Sequence, residues 1–295
     1  MAKFHDRFAG VYCAMLTPYN KTGAVCKKTI DRLVNWHIEK GLRGFYVCGS
    51  TGEHILLTPA ERKAIAERTV KAAAGRANVI VHVGAPSSEE SADLARHAEK
   101  VGADAISSLP PIFFPGTPEA INLHYDTILK RTRLPLLIYN YTVRGEVVPA
   151  AQFIPILAKK GVAGMKYTGY NLYEMQGFIE NAPDRFILSG ADEMSLPALT
   201  MGAIGSIGST QNVFPEIFVE IYKSYHKGDL RRAEQLQRQV NRAIRIMQLS
   251  KSIAGWKIAL RARGIDAGRV RPPVTPADAK VERQILQGLE QIGLL

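Results

Sequence analysis

Leu134-Pro135-Leu136-Leu137-Ile138-Tyr139-Asn140, the helix-like segment over 149–160 and Val162-Ala163-Gly164-Met165-Lys166-Tyr167-Thr168 form one repeat of the pattern that decides the fold. Both apolar runs are short and end on polar or turn residues. Near-continuous apolar character is expected of parallel strands covered by helices on both faces. The pattern recurs on either side. Six further runs cover 10–18, 44–50, 78–85, 103–110, 186–190 and 202–210, with helix-like segments at 30–40, 59–74, 88–101, 118–130, 172–181 and 192–201. Eight such units predict an α/β chain folded as a (β/α)8 TIM barrel. The barrel is expected over 1–213, with 214–295 as a C-terminal helical region packed on it, helical near 215–227, 230–250 and 276–293. Helix starts carry matching chemistry: Thr58-Pro59-Ala60-Glu61 reads as a capping box with Pro at the first helical position, and 88–91 and Thr117-Pro118-Glu119 look similar. A doubly wound open sheet would want G-x-G-x-x-G after the first strand, and 10–20 has none.

Composition is compatible with that fold and excludes several classes. The chain has 295 residues, 46% hydrophobic and 22% charged, which rules out global disorder. The net charge of +11 attracts anions without choosing among them. The basic residues are scattered, and the Arg-rich stretch 230–247 has helical spacing, so it reads as a solvated helix face; no nucleic-acid partner is expected. Cys13, Cys26 and Cys48 form no C-x-x-C pair and read as small hydrophobes in a reducing compartment. No run of about 18 apolar residues exists, so no membrane partner is expected. Residues 1–10 lack the apolar core of a secretory leader, and a cytoplasmic protein is expected.

In a barrel, reacting groups sit at the C-terminal ends of strands and in the loops that follow. That filter selects Gly49-Ser50-Thr51-Gly52-Glu53, Tyr139-Asn140, Lys166-Tyr167-Thr168, Gly190-Ala191-Asp192-Glu193 and Gly208-Ser209-Thr210. Lys166 is the sharpest of these. It interrupts an apolar strand, and alternation places Val162, Gly164, Lys166 and Thr168 on one face, with Gly164 leaving room for a long side chain. A desolvated lysine loses pKa units and becomes a nucleophile toward a ketone. A strand-end lysine that reaches solvent or a structural ion pair is the alternative. Tyr139 is either a proton carrier at the same rim or a core tyrosine. The turn at 49–52 offers N–H groups and hydroxyls suited to a carboxylate, or is an ordinary loop. Asp192 and Glu193 suit a polyol better than a glycosidase pair. No histidine or carboxylate spacing suggests a metal site, and no metal or organic cofactor is expected.

Taken together, Gly49-Ser50-Thr51-Gly52-Glu53, Tyr139-Asn140 and Gly164-Met165-Lys166-Tyr167-Thr168 resemble, in order and spacing, three motifs of the dihydrodipicolinate synthase and N-acetylneuraminate lyase family. The resemblance runs from about Gly10 to near the C-terminus. It implies a pyruvate-dependent class I aldolase on a barrel with C-terminal helices, usually a homotetramer. It further implies Lys166 as the Schiff-base lysine, Tyr139 as proton carrier helped by Thr51, and Ser50 and Thr51 as holders of the pyruvyl carboxylate. Two features look like the sialic acid lyases: Gly190-Ala191-Asp192-Glu193, whose acid pair would bind the polyol tail, and Gly208-Ser209 at substrate-contacting positions. Thr168 is lyase-like as well.

Other features depart from that pattern. Most members carry a tyrosine in the loop after strand four, where this chain has Phe113-Phe114. Arg144 stands where the synthases place an arginine for their semialdehyde. The expected activity is cleavage of a 2-keto-3-deoxy sugar acid to pyruvate and an aldehyde, with N-acetylneuraminate as the leading substrate. Alternatives are a dihydrodipicolinate synthase, an aldolase for smaller sugar acids and, from another class, a non-catalytic keto-acid-binding regulator.

Overall fold

The computed structural model describes residues 2–111, 117–141 and 150–295. Phe113, Phe114 and Arg144, singled out above, lie outside the described residues. Eight parallel strands close into a barrel in sequential order, β1 pairing with β8. They are β1 (Gly10–Ala14), β2 (Gly44–Val47), β3 (Asn78–His82), β4 (Ala105–Ser108), β5 (Leu136–Tyr141), β6 (Val162–Thr168), β7 (Phe186–Ser189) and β8 (Gly205–Gly208). Each falls within one of the eight runs or, for β5, extends one residue past it. α1 (Ala2–Phe8) precedes the barrel. The helices between strands are α2 (Lys27–Glu39), α3 (Pro59–Ala73), α4 (Ser88–Lys100), α5 (Pro118–Leu129), α6 (Ala150–Leu157), α7 (Leu172–Asn181) and α8 (Ser195–Thr200). After β8 come α9 (Pro215–His226), α10 (Leu230–Met247), α11 (Ala254–Ala262) and α12 (Ala279–Gln291). α9 contacts β1 and α8, the place of the ring's eighth helix.

Local chemistry starts the helices as the sequence suggests. Thr58 Oγ1 accepts from the Glu61 N–H at 3.2 Å while Glu61 Oε2 accepts from the Thr58 N–H at 2.9 Å, a reciprocal capping box. Thr117 caps α5 through the Ala120 N–H. At α4 the cap is Ser87, one residue before the stretch expected, accepting from Glu90. In α10 the arginines are solvated, while Leu236, Val240, Ile244 and Met247 form its buried stripe.

Two apolar layers result. Val11, Phe45, Val79, Ile106, Ile138, Met165 and Ile187 belong to the outer layer between strands and helices. Tyr12, Tyr46, Ile80, Leu137, Tyr139 and Leu188 fill the barrel interior. Phe8 stacks on Phe186 at 5.4 Å between ring centroids and so helps fill the N-terminal end. β6 departs from simple alternation. β5 and β6 shift register between Leu136 and Leu137, so Val162 faces the helices while Lys166 projects inward. Simple alternation from Val162 fails at this bulge. Gly164 has a different use from the one expected: a Cβ there would lie 2.1 Å from the Phe186 carbonyl oxygen, so the glycine permits close approach of β6 and β7.

Candidate active site

The register that follows the bulge pairs Tyr139 of β5 with Lys166 of β6, putting both side chains in the barrel at its C-terminal half. Lys166 is only 4% exposed. Its Nζ lies 4.3 Å from the Tyr46 ring centroid and 4.2 Å from that of Tyr139. Aromatic faces attract a cation but do not replace a hydration shell. Burial therefore lowers the Lys166 pKa to about 7, with Asp192 partly opposing the shift. The ion-pair alternative does not describe this lysine. It does describe Lys257, also buried, whose Nζ lies 2.8 Å from Glu53 Oε1. At neutral pH roughly half of a group with pKa near 7 is the free amine, against about one part in a thousand for an ordinary lysine.

Tyr139 is 2% exposed, and its hydroxyl lies 3.4 Å from Ser50 Oγ. Burial pushes its pKa up to about 12, against the lowering effect of Ser50 and Thr168. The resting group is thus the neutral phenol. Tyr46 and His82 meet the Tyr139 ring edge-on, each at 5.8 Å. His82 is a core histidine, as its strand position suggests, with Nδ1 2.8 Å from the Cys48 carbonyl and a pKa driven down by burial.

Ser50 and Thr51 sit in the turn after β2. Ser50 is exposed, whereas Thr51 is buried and shares a 2.6 Å hydroxyl contact with Ser209 from the end of β8. The N–H groups of Ser50 and Thr51 make no hydrogen bond to another of the described residues. The turn therefore presents hydroxyls and free donors together, a fit for one carboxylate. Gly49 is required on packing grounds, since a Cβ would lie 2.5 Å from Tyr46 Cε1.

The loop after β7 separates the two acids that the sequence sets side by side. Asp192 turns inward: Oδ2 accepts from the Thr210 N–H at 2.7 Å, and the Gln211 amide, oriented by its surrounding acceptors, donates to Oδ1 at 3.2 Å. Burial raises the Asp192 pKa to about 6. Glu193 points outward and accepts from the Tyr170 hydroxyl at 2.6 Å. Gly190 and Gly208 are spacers. A Cβ on Gly190 would lie 1.8 Å from Thr168 Oγ1 and 3.0 Å from Lys166 Cε, and one on Gly208 would lie 1.5 Å from Asp192 Oδ1.

Lys166, Tyr139, Ser50, Thr51, Thr168, Gly190, Asp192, Gly208 and Ser209 thus cluster at the mouth, with Glu193 at its outer edge. Sequence reasoning missed Tyr46, Tyr170 and Gln211. Tyr46 lies at an inward position of an apolar run, the one signal available; the others are set by tertiary contacts. Among the described residues no histidine, cysteine and carboxylate group could hold a metal ion, and no helix is long and apolar enough to cross a membrane.

Residues 7–292 match the dihydrodipicolinate synthetase family. The chain belongs to that family. Its resemblance extends to N-acetylneuraminate lyase of Escherichia coli, 33% identical over 92% of this chain and 92% of that one. It also extends to a structure of a Ruminococcus gnavus sialic acid aldolase catalytic lysine mutant, with TM-score 0.93 and 28% identity over 97% of this chain and 96% of that one. A dihydrodipicolinate synthase structure is similar as well, with TM-score 0.91 and 28% identity over 98% of this chain and 100% of that one. Like other members of the dihydrodipicolinate synthetase family, this chain is an aldolase, a carbon–carbon lyase working through a lysine Schiff base.

Proposed function

We propose that this chain cleaves a 2-keto-3-deoxy sugar acid, N-acetylneuraminate foremost, to pyruvate and an aldehyde, with Lys166 as the Schiff-base residue. The observation that carries the reading is a buried lysine at pKa about 7, held between two tyrosine rings and paired in register with Tyr139. The neutral Lys166 amine adds to the C2 ketone and gives a carbinolamine. Tyr139, a phenol at rest, gives its proton to the departing hydroxyl, which leaves as water. The protonated imine is the electron sink. The Tyr139 phenolate then takes the C4 hydroxyl proton, the C3–C4 bond breaks, and its electron pair forms the enamine of pyruvate. Ser50 and Thr51 hold the substrate carboxylate throughout, and Thr51 and Ser209 share the hydroxyl contact beside it. No metal or organic cofactor enters these steps.

Thr168, Gly190, Glu193, Gly208 and Ser209 line the direction in which the sugar tail extends. Asp192 acts from beneath, its carboxylate engaged by Thr210. The resemblance to lyases also supports a homotetramer acting in the cytoplasm, for which light scattering and cell fractionation are the measurements. The substrate class is tested by a panel comparing N-acetylneuraminate cleavage with condensation of pyruvate and aspartate semialdehyde. Faster turnover of the sugar acid is expected; a clear preference for the semialdehyde would replace the lyase reading with the synthase one.

A further inference from the structure

The turn that carries Ser50 and Thr51 closes through the Gly52 N–H on the Gly49 carbonyl and the Glu53 N–H on the Ser50 carbonyl, each at 3.0 Å, but its two ends are strained. Cys48 at φ 58° and Glu53 at φ 59° flank it, both in the left-handed region that L side chains rarely adopt. Such a shape persists only where surrounding contacts over-determine it. Here groups from other segments of the chain supply those contacts. His82 Nδ1 meets the Cys48 carbonyl at 2.8 Å, and Thr17 Oγ1 donates to the Gly52 carbonyl at 2.6 Å. Glu53 Oε2 accepts from the Arg271 N–H at 2.8 Å, and Glu53 Oε1 lies 2.8 Å from Lys257 Nζ.

Lys257 comes from α11, more than two hundred residues downstream. Its ammonium also donates to the carbonyls of Thr17 and Arg269, each at 3.0 Å, and lies 4.4 Å from the Tyr19 ring centroid. One buried cation therefore ties the loop after β1, the turn after β2 and the segment after α11. A buried ion pair is weak evidence for stability, since apolar replacement is often neutral. What it does supply is fixed geometry, and the group it fixes is next to Ser50 and Thr51. Lys257 itself makes its contacts to Glu53, Thr17, Arg269 and Tyr19, away from the Lys166–Tyr139 centre.

We propose that Lys257 is a positioning residue for substrate carboxylate binding, acting through Glu53 and Thr17 to hold the Ser50–Thr51 turn in its anion-accepting shape. The inference rests on the reading of that turn as the carboxylate site. The test measures the half-saturating concentration for imine trapping at Lys166 by cyanoborohydride, with pyruvate and with methyl pyruvate, which keeps the ketone and lacks the carboxylate. The unaltered enzyme should prefer pyruvate by about 10- to 150-fold, the range for charge-assisted hydrogen bonds.

Lys257→Met should raise half-saturation for pyruvate by about 10-fold or more, while the ester changes by less than about twofold, because small misplacements of binding groups are costly. Lys257→Arg, which keeps the charge, should restore part of the preference. If Lys257→Met does not fold, Glu53→Gln/Lys257→Met, which leaves no unpaired charge, carries the same expectation. A folded variant that keeps the full preference overturns the proposal and leaves the carboxylate reading standing, as does one that loses both ligands equally. No preference in the unaltered enzyme removes the carboxylate reading, and the proposal with it.

Discussion

Lys166 depends on what it lacks as much as on what it touches. Two tyrosine rings surround its ammonium where water would otherwise be, and burial brings its pKa to about 7. In the proposed mechanism the free amine is the nucleophile, so imine formation should rise with pH through about 7, fall about tenfold per pH unit well below it, and level off above about 8. The Asp192 anion opposes the shift, so Asp192→Asn should move that midpoint to lower pH. Stopped-flow trapping across pH checks both signs; a midpoint near 10 would show a solvated lysine. Tyr139→Phe should lower kcat by about 10² to 10⁴ while imine formation with pyruvate persists, as general acid–base groups contribute on that scale. A kcat near that of the unaltered enzyme would assign the proton to another group. The meeting of Lys166 and Tyr139 at the barrel mouth was legible in the chain because each residue breaks an apolar run at a strand's C-terminal end. The inward burial of Asp192 was not, because it depends on Thr210 and Gln211, which only the fold brings near.

Among elements, β6 shows how local pattern and tertiary geometry divide the work. Its extent matched the apolar run, yet a register shift against β5 resets which residues face inward. A bulge leaves no compositional trace in seven residues, so alternation alone misplaces Val162. The helix starts at Thr58 and Thr117 were readable because capping is a contact over three residues. Lys257 was unreadable as a partner of Glu53 for the opposite reason. The loop after β7 offers a sharp test of packing. Gly190→Ala would place a Cβ 1.8 Å from Thr168 Oγ1 and 3.0 Å from Lys166 Cε. Overpacking of this kind costs about 1–3 kcal/mol, or displaces the neighbours. The variant should lose about tenfold or more in kcat/KM with a lowered Tm. Unchanged activity would mean that Thr168 and Lys166 are free to move.

For the whole molecule, the barrel gathers groups from β2, β5, β6, β7 and β8 at one mouth, and α11 reaches back to brace the turn after β2. In the proposed reading, substrate choice is a property of this assembled rim. With Asp192 engaged by backbone, Glu193 remains the outward acid, and polyol hydroxyls are its natural donors. Glu193→Ala should lower kcat/KM for N-acetylneuraminate by about 10- to 150-fold with little change in pyruvate imine formation. An equal effect on both would place Glu193 in the general scaffold. The net charge of +11 favours acidic substrates without distinguishing among them. The central claim is the covalent one. Cyanoborohydride with pyruvate, followed by intact-mass and peptide mapping, should show one reduced adduct per chain, located on Lys166 and abolished by Lys166→Ala. No adduct, or an adduct on another lysine, would contradict the account.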